Sequence, residues 1–299
     1  MRRSIALLLT LGSFFPSSVK AMETDQYMAW NIELKDSSQA FNDYFNDKLI
    51  PDYLNKINSR GTIPKSREEL VIGLYHYAFR GLDSSRVKHF LNSSEEIDRY
   101  PDNSVSYREY KKESIYQSDA PFPWFFLPMS RTININGNYL GVDKIGHFFG
   151  FGRRYFQSYQ RFINEGASHE KAIERTINLG IHNEKYLVGR LVDGVFSYAD
   201  LEANYQGFLL ALKLSSSEDY FKLENEKWSQ AGKIDIKSCV NPDFDESYNK
   251  SDYWLLRNRK VLPRVKEYCH EKNNKIVKER FERYNKHEHS FSYEFVADY

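Results

Sequence analysis

Five side chains carry most of the chemistry this sequence offers. Asp143, Lys144 and His147 fall within one helical turn of the segment Gly141–Gly152, GVDKIGHFFGFG. Asp200 and Asn204 lie one turn apart in Ser197–Gly207, SYADLEANYQG. If the two stripes face each other, they offer an imidazole, two carboxylates, an amide and an ammonium in one place. His147 would be the general acid or base, because its ordinary pKa lies nearest neutrality. Asp143 or Asp200 would orient the ring, and Lys144 and Asn204 would stabilise developing negative charge. No nucleophile is identifiable beside them: the chain has no GxSxG, no P-loop, no GxGxxG opening after a strand and no Cys/His nucleophile arrangement. Asp143 and His147, four residues apart, can also share a metal ion, although no HExxH pattern is present, so a metal is left open and no cofactor is expected.

The same residues have a plainer reading. Asp143 directly precedes a helical pattern, where Asp is a favoured N-cap. Ser197-x-x-Asp200 follows capping-box logic, with an acid near the positive end of a helix. His147 would then be a solvated surface residue. Capping leaves the pairing of His147 with Asn204, and the glycines Gly150 and Gly207 beside them, unexplained. Both readings stay open at the level of sequence.

Three long helices must position these groups. The spacing predicts Asp143–Asn164, with Ile145, Phe149, Gly152, Phe156, Tyr159 and Ile163 on one apolar face, stopped by Gly166. It predicts Ser168–Val188 from a Ser168 cap, and Tyr198–Lys213 from a Ser197 cap. Asn136-Gly137, centred in RTININGNYLGV, predicts a β-hairpin leading straight into the first of these helices. Upstream, helices are expected over Asp36–Ser59, kinked at Pro51, over Glu68–Arg80 behind a Ser66/Glu69 capping box, and around Ser84–Leu91. Downstream, a short strand over Lys233–Val240, turns over Asn241–Asn258 and one long charged helix over Val261–Lys286 are expected. His76 reads as a core histidine.

The chain has 299 residues, with 42 Lys+Arg against 41 Asp+Glu. That balance supplies no field to steer nucleic acid, which is not expected as a partner. Tyr and Phe number 22 and 21, ample material for a core. The first residues, MRRSIALLLTLGSFFPSSVKA, pair a basic start with the apolar stretch Ile5–Phe15 and small residues at Val19 and Ala21. That stretch is well short of the roughly 20 residues a bilayer crossing needs, so residues 1–21 read as a signal peptide. No transmembrane span is expected in the mature chain, which would be periplasmic or secreted. In such a compartment Cys239 and Cys269 read as a disulfide, worth about 3–4 kcal/mol in the chain-entropy model.

The pattern Asp143-Lys144-x-x-His147-Phe148, followed by Ser197-x-x-Asp200-x-x-x-Asn204-x-x-Gly207, resembles the VanZ-like group and the small periplasmic YfiM-type proteins. The likeness covers residues 143–213. It implies a compact helical unit of the bacterial cell envelope whose two motifs line one cleft, with an envelope lipid or glycan as the possible partner. The expected fold is mainly α, a helical bundle with a small β-hairpin near residues 131–142. The expected parts are a signal peptide (1–21), an N-terminal helical part (22–130), a VanZ-like core (131–213) and a C-terminal extension (214–299). The expected function is that of an exported envelope protein, ligand-binding or structural, with an envelope hydrolase using the His/Asp/Lys cluster as the alternative. Oligomeric state is not legible.

Overall fold

Apolar residues at helical spacing dominate this chain, and helices dominate its structure. The computed structural model describes residues 22–61, 63–81, 85–117, 128–186 and 194–288. The expected signal peptide, and the end of the helix expected to reach Val188, lie outside the described residues. The chain enters through a short strand, β1 (Glu23–Thr24). Helix α1 (Ser38–Asp43) then runs through a π-helical stretch, Tyr44–Leu49, into α2 (Ile50–Arg60). The predicted kink at Pro51 thus takes the form of a wider helical turn just before the proline, whose ring and missing N–H spoil regular α-helix.

Next come α3 (Arg67–Ala78), α4 (Arg86–Ser93), β2 (Arg99–Tyr100) and α5 (Tyr107–Glu113). Ser66 caps α3 by accepting the Glu69 N–H, while the Glu69 carboxylate takes the Lys65 N–H rather than that of Ser66. Short β3 (Met129–Ser130) pairs with β1 in parallel. The predicted hairpin is present as β4 (Thr132–Ile135) and β5 (Asn138–Gly141), with Asn136 and Gly137 both at positive φ. It delivers the chain to α6 (Val142–Asn164), followed by α7 (His169–Tyr186), β6 (Val195–Phe196) and α8 (Tyr198–Ser216).

Helices α6 and α8 pack most closely at Gly152 and Gly207. A methyl group on Gly207 would lie 2.0 Å from the Phe148 carbonyl oxygen, and one on Gly152 would lie 2.9 Å from the Gly207 α-carbon. The partner of Gly207 is therefore Gly152; Gly150 instead packs under the Phe79 ring. The Tyr75 hydroxyl of α3 closes this contact by donating to the Gly207 carbonyl at 2.8 Å. His76, one residue on, is exposed beside Arg153 rather than buried.

The C-terminal part departs further from expectation. After the hairpin β7 (Phe221–Glu224) and β8 (Lys227–Gln230), the segment expected as a strand forms a 3₁₀ turn over Ile236–Cys239. It is pinned by Asn42 and Asn46, whose side chains bond the backbone of residues 234, 236 and 237 and so take up groups a sheet partner would need. Strand β9 (Asp252–Tyr253) pairs with β6. The single long helix is broken into α9 (Leu255–Glu267) and α10 (Lys275–Tyr284), with 3₁₀ turns over Tyr268–Asn273 between them. Two cores result. The larger gathers α1–α4, the β4–β5 hairpin and α6–α8; the smaller joins Tyr27, Trp30 and Tyr116 to Val261 and Val277.

The two cysteines also lie apart. Cys239 packs against the larger core, whereas Cys269 is exposed, in the electrostatic reach of Tyr27 on the smaller one. Both are free thiols, so the expected disulfide is absent: a bridge needs α-carbons within about 7 Å, and these residues are not near each other. Among the described residues no helix is long and apolar enough to cross a membrane.

Candidate functional site: a buried lysine among carboxylates

The two predicted stripes do meet. Asp143 and Lys144 occupy the first turn of α6, and Gly141, not Asp143, is its N-cap. Released from capping, the Asp143 carboxylate turns inward. Its Oδ1 accepts from the Thr24 hydroxyl at 2.6 Å, and its Oδ2 accepts from Lys144 Nζ at 2.6 Å. The Asp143 N–H is satisfied by the Ser130 hydroxyl.

Asp200 does sit in the capping arrangement foreseen for it. Its N–H donates to Ser197 Oγ at 3.1 Å, while the Ser197 N–H turns to Glu184. The Asp200 carboxylate is thereby free of the box, and its Oδ1 lies 2.7 Å from Lys144 Nζ. The third acid is Glu246, whose Oε1 accepts from Lys144 at 2.7 Å and from Ser197 Oγ at 2.8 Å. Lys144 is 0% exposed. Its ammonium therefore has three carboxylate neighbours and no solvent.

His147 follows one turn later, 8% exposed and not solvated as the plainer reading required. Its Nε2 lies 3.4 Å from Asp200 Oδ2, and its Nδ1 lies 3.3 Å from Asn204 Oδ1. One face stacks on Phe151 at 5.1 Å between centroids. Asn204 also engages the Tyr155 hydroxyl, which is wedged against Gly180 of α7. All five predicted residues are thus brought together, yet none lies open to solvent.

The electrostatics follow from counting charges. One ammonium faces Asp143, Asp200 and Glu246, so full ionisation would leave net negative charge in a dry interior, which is costly. Burial opposes the charge on Lys144, but the surrounding carboxylates outweigh it and hold its pKa well above the usual lysine value. Burial likewise works against Asp143, but Lys144 prevails and its pKa is lowered. Glu246 carries the surplus. Burial pushes its pKa up to about 7, and its second oxygen, Oε2, has no hydrogen-bond partner. Burial lowers the His147 pKa, against the pull of Asp200.

Glu246, Thr24 and Ser130 are the members that sequence reasoning missed. Glu246 lies in a turn-rich stretch with no periodicity, NPDFDESYNK. The available clue was chemical: a lysine in an apolar helix start needs more than one acid, and Asp243, Asp245 and Glu246 are all buried in that stretch.

In this geometry the ammonium occupies the point where the carboxylates converge. Among the described residues no group of three or more His, Cys, Asp or Glu side chains is arranged to hold a metal ion. Both ring nitrogens of His147 face protein groups, so a proton taken there has Asp200 and Asn204 as its neighbours. Comparison with protein-family models, with curated proteins and with solved structures found no match to this chain.

Proposed function

We propose that this chain is an exported cell-envelope protein of the VanZ-like type, a helical bundle in which the Lys144 cluster is a structural hub and not a catalytic centre. One observation carries the reading: Lys144 is fully buried and its ammonium lies 2.6–2.7 Å from three carboxylates drawn from α6, α8 and the Glu246 turn. A general base or an electrostatic catalyst must reach a substrate. Here the imidazole and the ammonium are spent on protein groups, and they tie residues near 24, 143, 200 and 246 into one unit. Such a hub specifies how helices seat against each other, a role attested for some buried polar groups. Placement in the periplasm or outside the cell, and an envelope lipid or glycan as partner, belong to the same proposal and rest on residues 1–21 and on the motif resemblance.

His147→Ala tests the hub against the hydrolase. As a hub member, His147 leaves Asp200 and Asn204 underpaired when removed, and urea unfolding should show a loss of about 1–3 kcal/mol. A variant with wild-type stability that fails to process an envelope fraction the wild type does process would transfer the assignment to the hydrolase.

A further inference from the structure

Positive charge gathers on a face that shares no residue with the Lys144 hub. Lys56 and Arg60 lie in the last two turns of α2, and His76 in the last turn of α3. Arg80 follows the end of α3, Arg86 opens α4, and Arg153 stands in the middle of α6. The Tyr77 ring joins them. The Arg86 guanidinium lies over it at 3.8 Å from the centroid, and the Lys56 ammonium at 5.1 Å. Arg86 also donates to the Tyr77 carbonyl at 3.0 Å, and Arg153 donates to His76 Nδ1. Arg153 is half-buried and the other five side chains are exposed.

These five cations and one imidazole face one another and not acids. Among the described residues none of the six forms an ion pair. Asp52, a turn before Lys56 on α2, is exposed and makes no bridge to it. The pKa directions agree. After burial, which comes first in both cases, Lys56 is drawn down by Arg60, Arg86 and Arg80, and His76 by Arg153, Arg80 and Lys56. Arg60, His76 and Arg80 sit at C-terminal helix ends, where cations are ordinary. Arg86 does not: it adds its charge to the positive end of α4. Like charges held together are destabilising, and a bound anion removes that repulsion.

The chemistry of the face narrows the ligand. Four of the five cations are arginines, whose planar forks hold phosphate at two points. Five cations drawn from the ends or flanks of four helices exceed what one phosphate can meet. A membrane surface fits less well, because none of the six large apolar side chains exposed among the described residues belongs to α2, α3, α4 or α6. We propose that this face binds a soluble ligand bearing several phosphate groups, such as a multiply phosphorylated sugar, with Lys56, Arg80 and Arg86 around Tyr77 as its centre and His76 beside them. Failure of this proposal would leave the structural reading of the Lys144 hub standing.

The test is calorimetric titration of the full chain with inositol hexakisphosphate, beside inorganic phosphate, phosphatidylglycerol vesicles and a single-stranded oligonucleotide. One saturable site for the hexakisphosphate is expected, weakening as salt screens exposed charges. The double variant Lys56→Gln, Arg80→Gln should bind roughly tenfold or more weakly, as loss of charge-assisted contacts does. Its thermal midpoint without ligand should be no lower than that of the wild type, because the charges removed repelled their neighbours. Lys266→Gln with Lys278→Gln, which removes the same charge from exposed positions on α9 and α10, should leave binding unchanged. The His76 imidazole, identified by the signal lost in His76→Gln, should titrate about half a unit higher or more when ligand is bound, because an anion favours its charged form. The proposal is overturned by absence of saturable binding, by equal weakening in both double variants, or by a His76 titration that ligand does not move. Inorganic phosphate binding as tightly would overturn the several-phosphate ligand. Tighter binding of the vesicles or the oligonucleotide would make the partner a membrane surface or a nucleic acid instead.

Discussion

Thr24 and Asp25 are neighbours in sequence, yet they serve two buried acid sites with opposite solutions. Thr24 donates to Asp143 beside the Lys144 ammonium. Asp25 is buried without a cation in contact. Its oxygens accept the backbone N–H groups of Ile115 at 2.7 Å and Tyr27 at 3.1 Å. Arg264 draws its pKa down, but more weakly than the backbone donors do. The outcomes differ accordingly. Beside the ammonium, Asp143 is held ionised with a lowered pKa. Away from one, burial pushes Asp25 up to about 7 despite its backbone donors. A cation at 2.6 Å overcomes burial, and the three backbone donors of Asp25, Met28 being the third, do not. Glu246 lies between these cases: it touches the same ammonium, but Asp143 and Asp200 already share that charge, so burial wins there too.

The comparison is broken most severely at Lys144. Lys144→Met leaves Asp143, Asp200 and Glu246 without their cation, and should cost about 3–5 kcal/mol in urea unfolding at pH 7. Adding Glu246→Gln to that variant should recover part of the loss, because one fewer buried charge remains. Full additivity of the two would mean that they do not share the site. At the other acid, Asp25→Ala removes no cation, but leaves the backbone N–H groups of Tyr27, Met28 and Ile115 unpaired. A loss of about 1–3 kcal/mol is expected. Asp25→Asn keeps one acceptor oxygen but sets its amino group against the other backbone donor, so it should cost less than Asp25→Ala without being neutral.

The gentlest probe is pH. Glu246 and Asp25 have raised pKa values in the folded protein, so each binds its proton more tightly there than in the unfolded chain. Their contribution is complete below their ordinary values of 4.5 and 3.8 and is lost as pH rises through about 7. His147, lowered on folding, works in the other sense and gains stability as pH rises through its ordinary 6.5. Asp143, also lowered, contributes above its ordinary 3.8 and fails only in stronger acid. Two carboxyls against one imidazole should make stability decline between pH 5 and pH 8, by roughly 1–3 kcal/mol. Glu246→Gln and Asp25→Asn should each flatten that slope. A flat wild-type profile would show that neither carboxyl titrates as its burial implies.

Local chemistry made part of this molecule readable. Asn136-Gly137 demanded positive φ at both positions, and the hairpin is there. Ser197 announced a helix start and caps α8. The spacing of Asp143, Lys144, His147, Asp200 and Asn204 put them on two helix stripes that could meet, and left open whether they do. Where a segment lacked period, reading failed. NPDFDES carries no helical or strand signature, and Glu246 enters the cluster only because a turn places it there. The 3₁₀ turn over Ile236–Cys239 was mistaken for a strand, since its alternation matches one and only Asn42 and Asn46, nearly 200 residues earlier, decide otherwise.

By itself, then, the sequence determined most of the helices, the serine caps of α3 and α8, the tight turn and which polar groups would share a helix face, because those depend on backbone preferences and on side chains a turn apart. The tertiary structure alone decided that His147 is enclosed, that Gly152 rather than Gly150 meets Gly207, that the two thiols lie apart, and that Lys144 has a third acid. These depend on dielectric surroundings and on distances between residues remote in the chain, which no local pattern encodes.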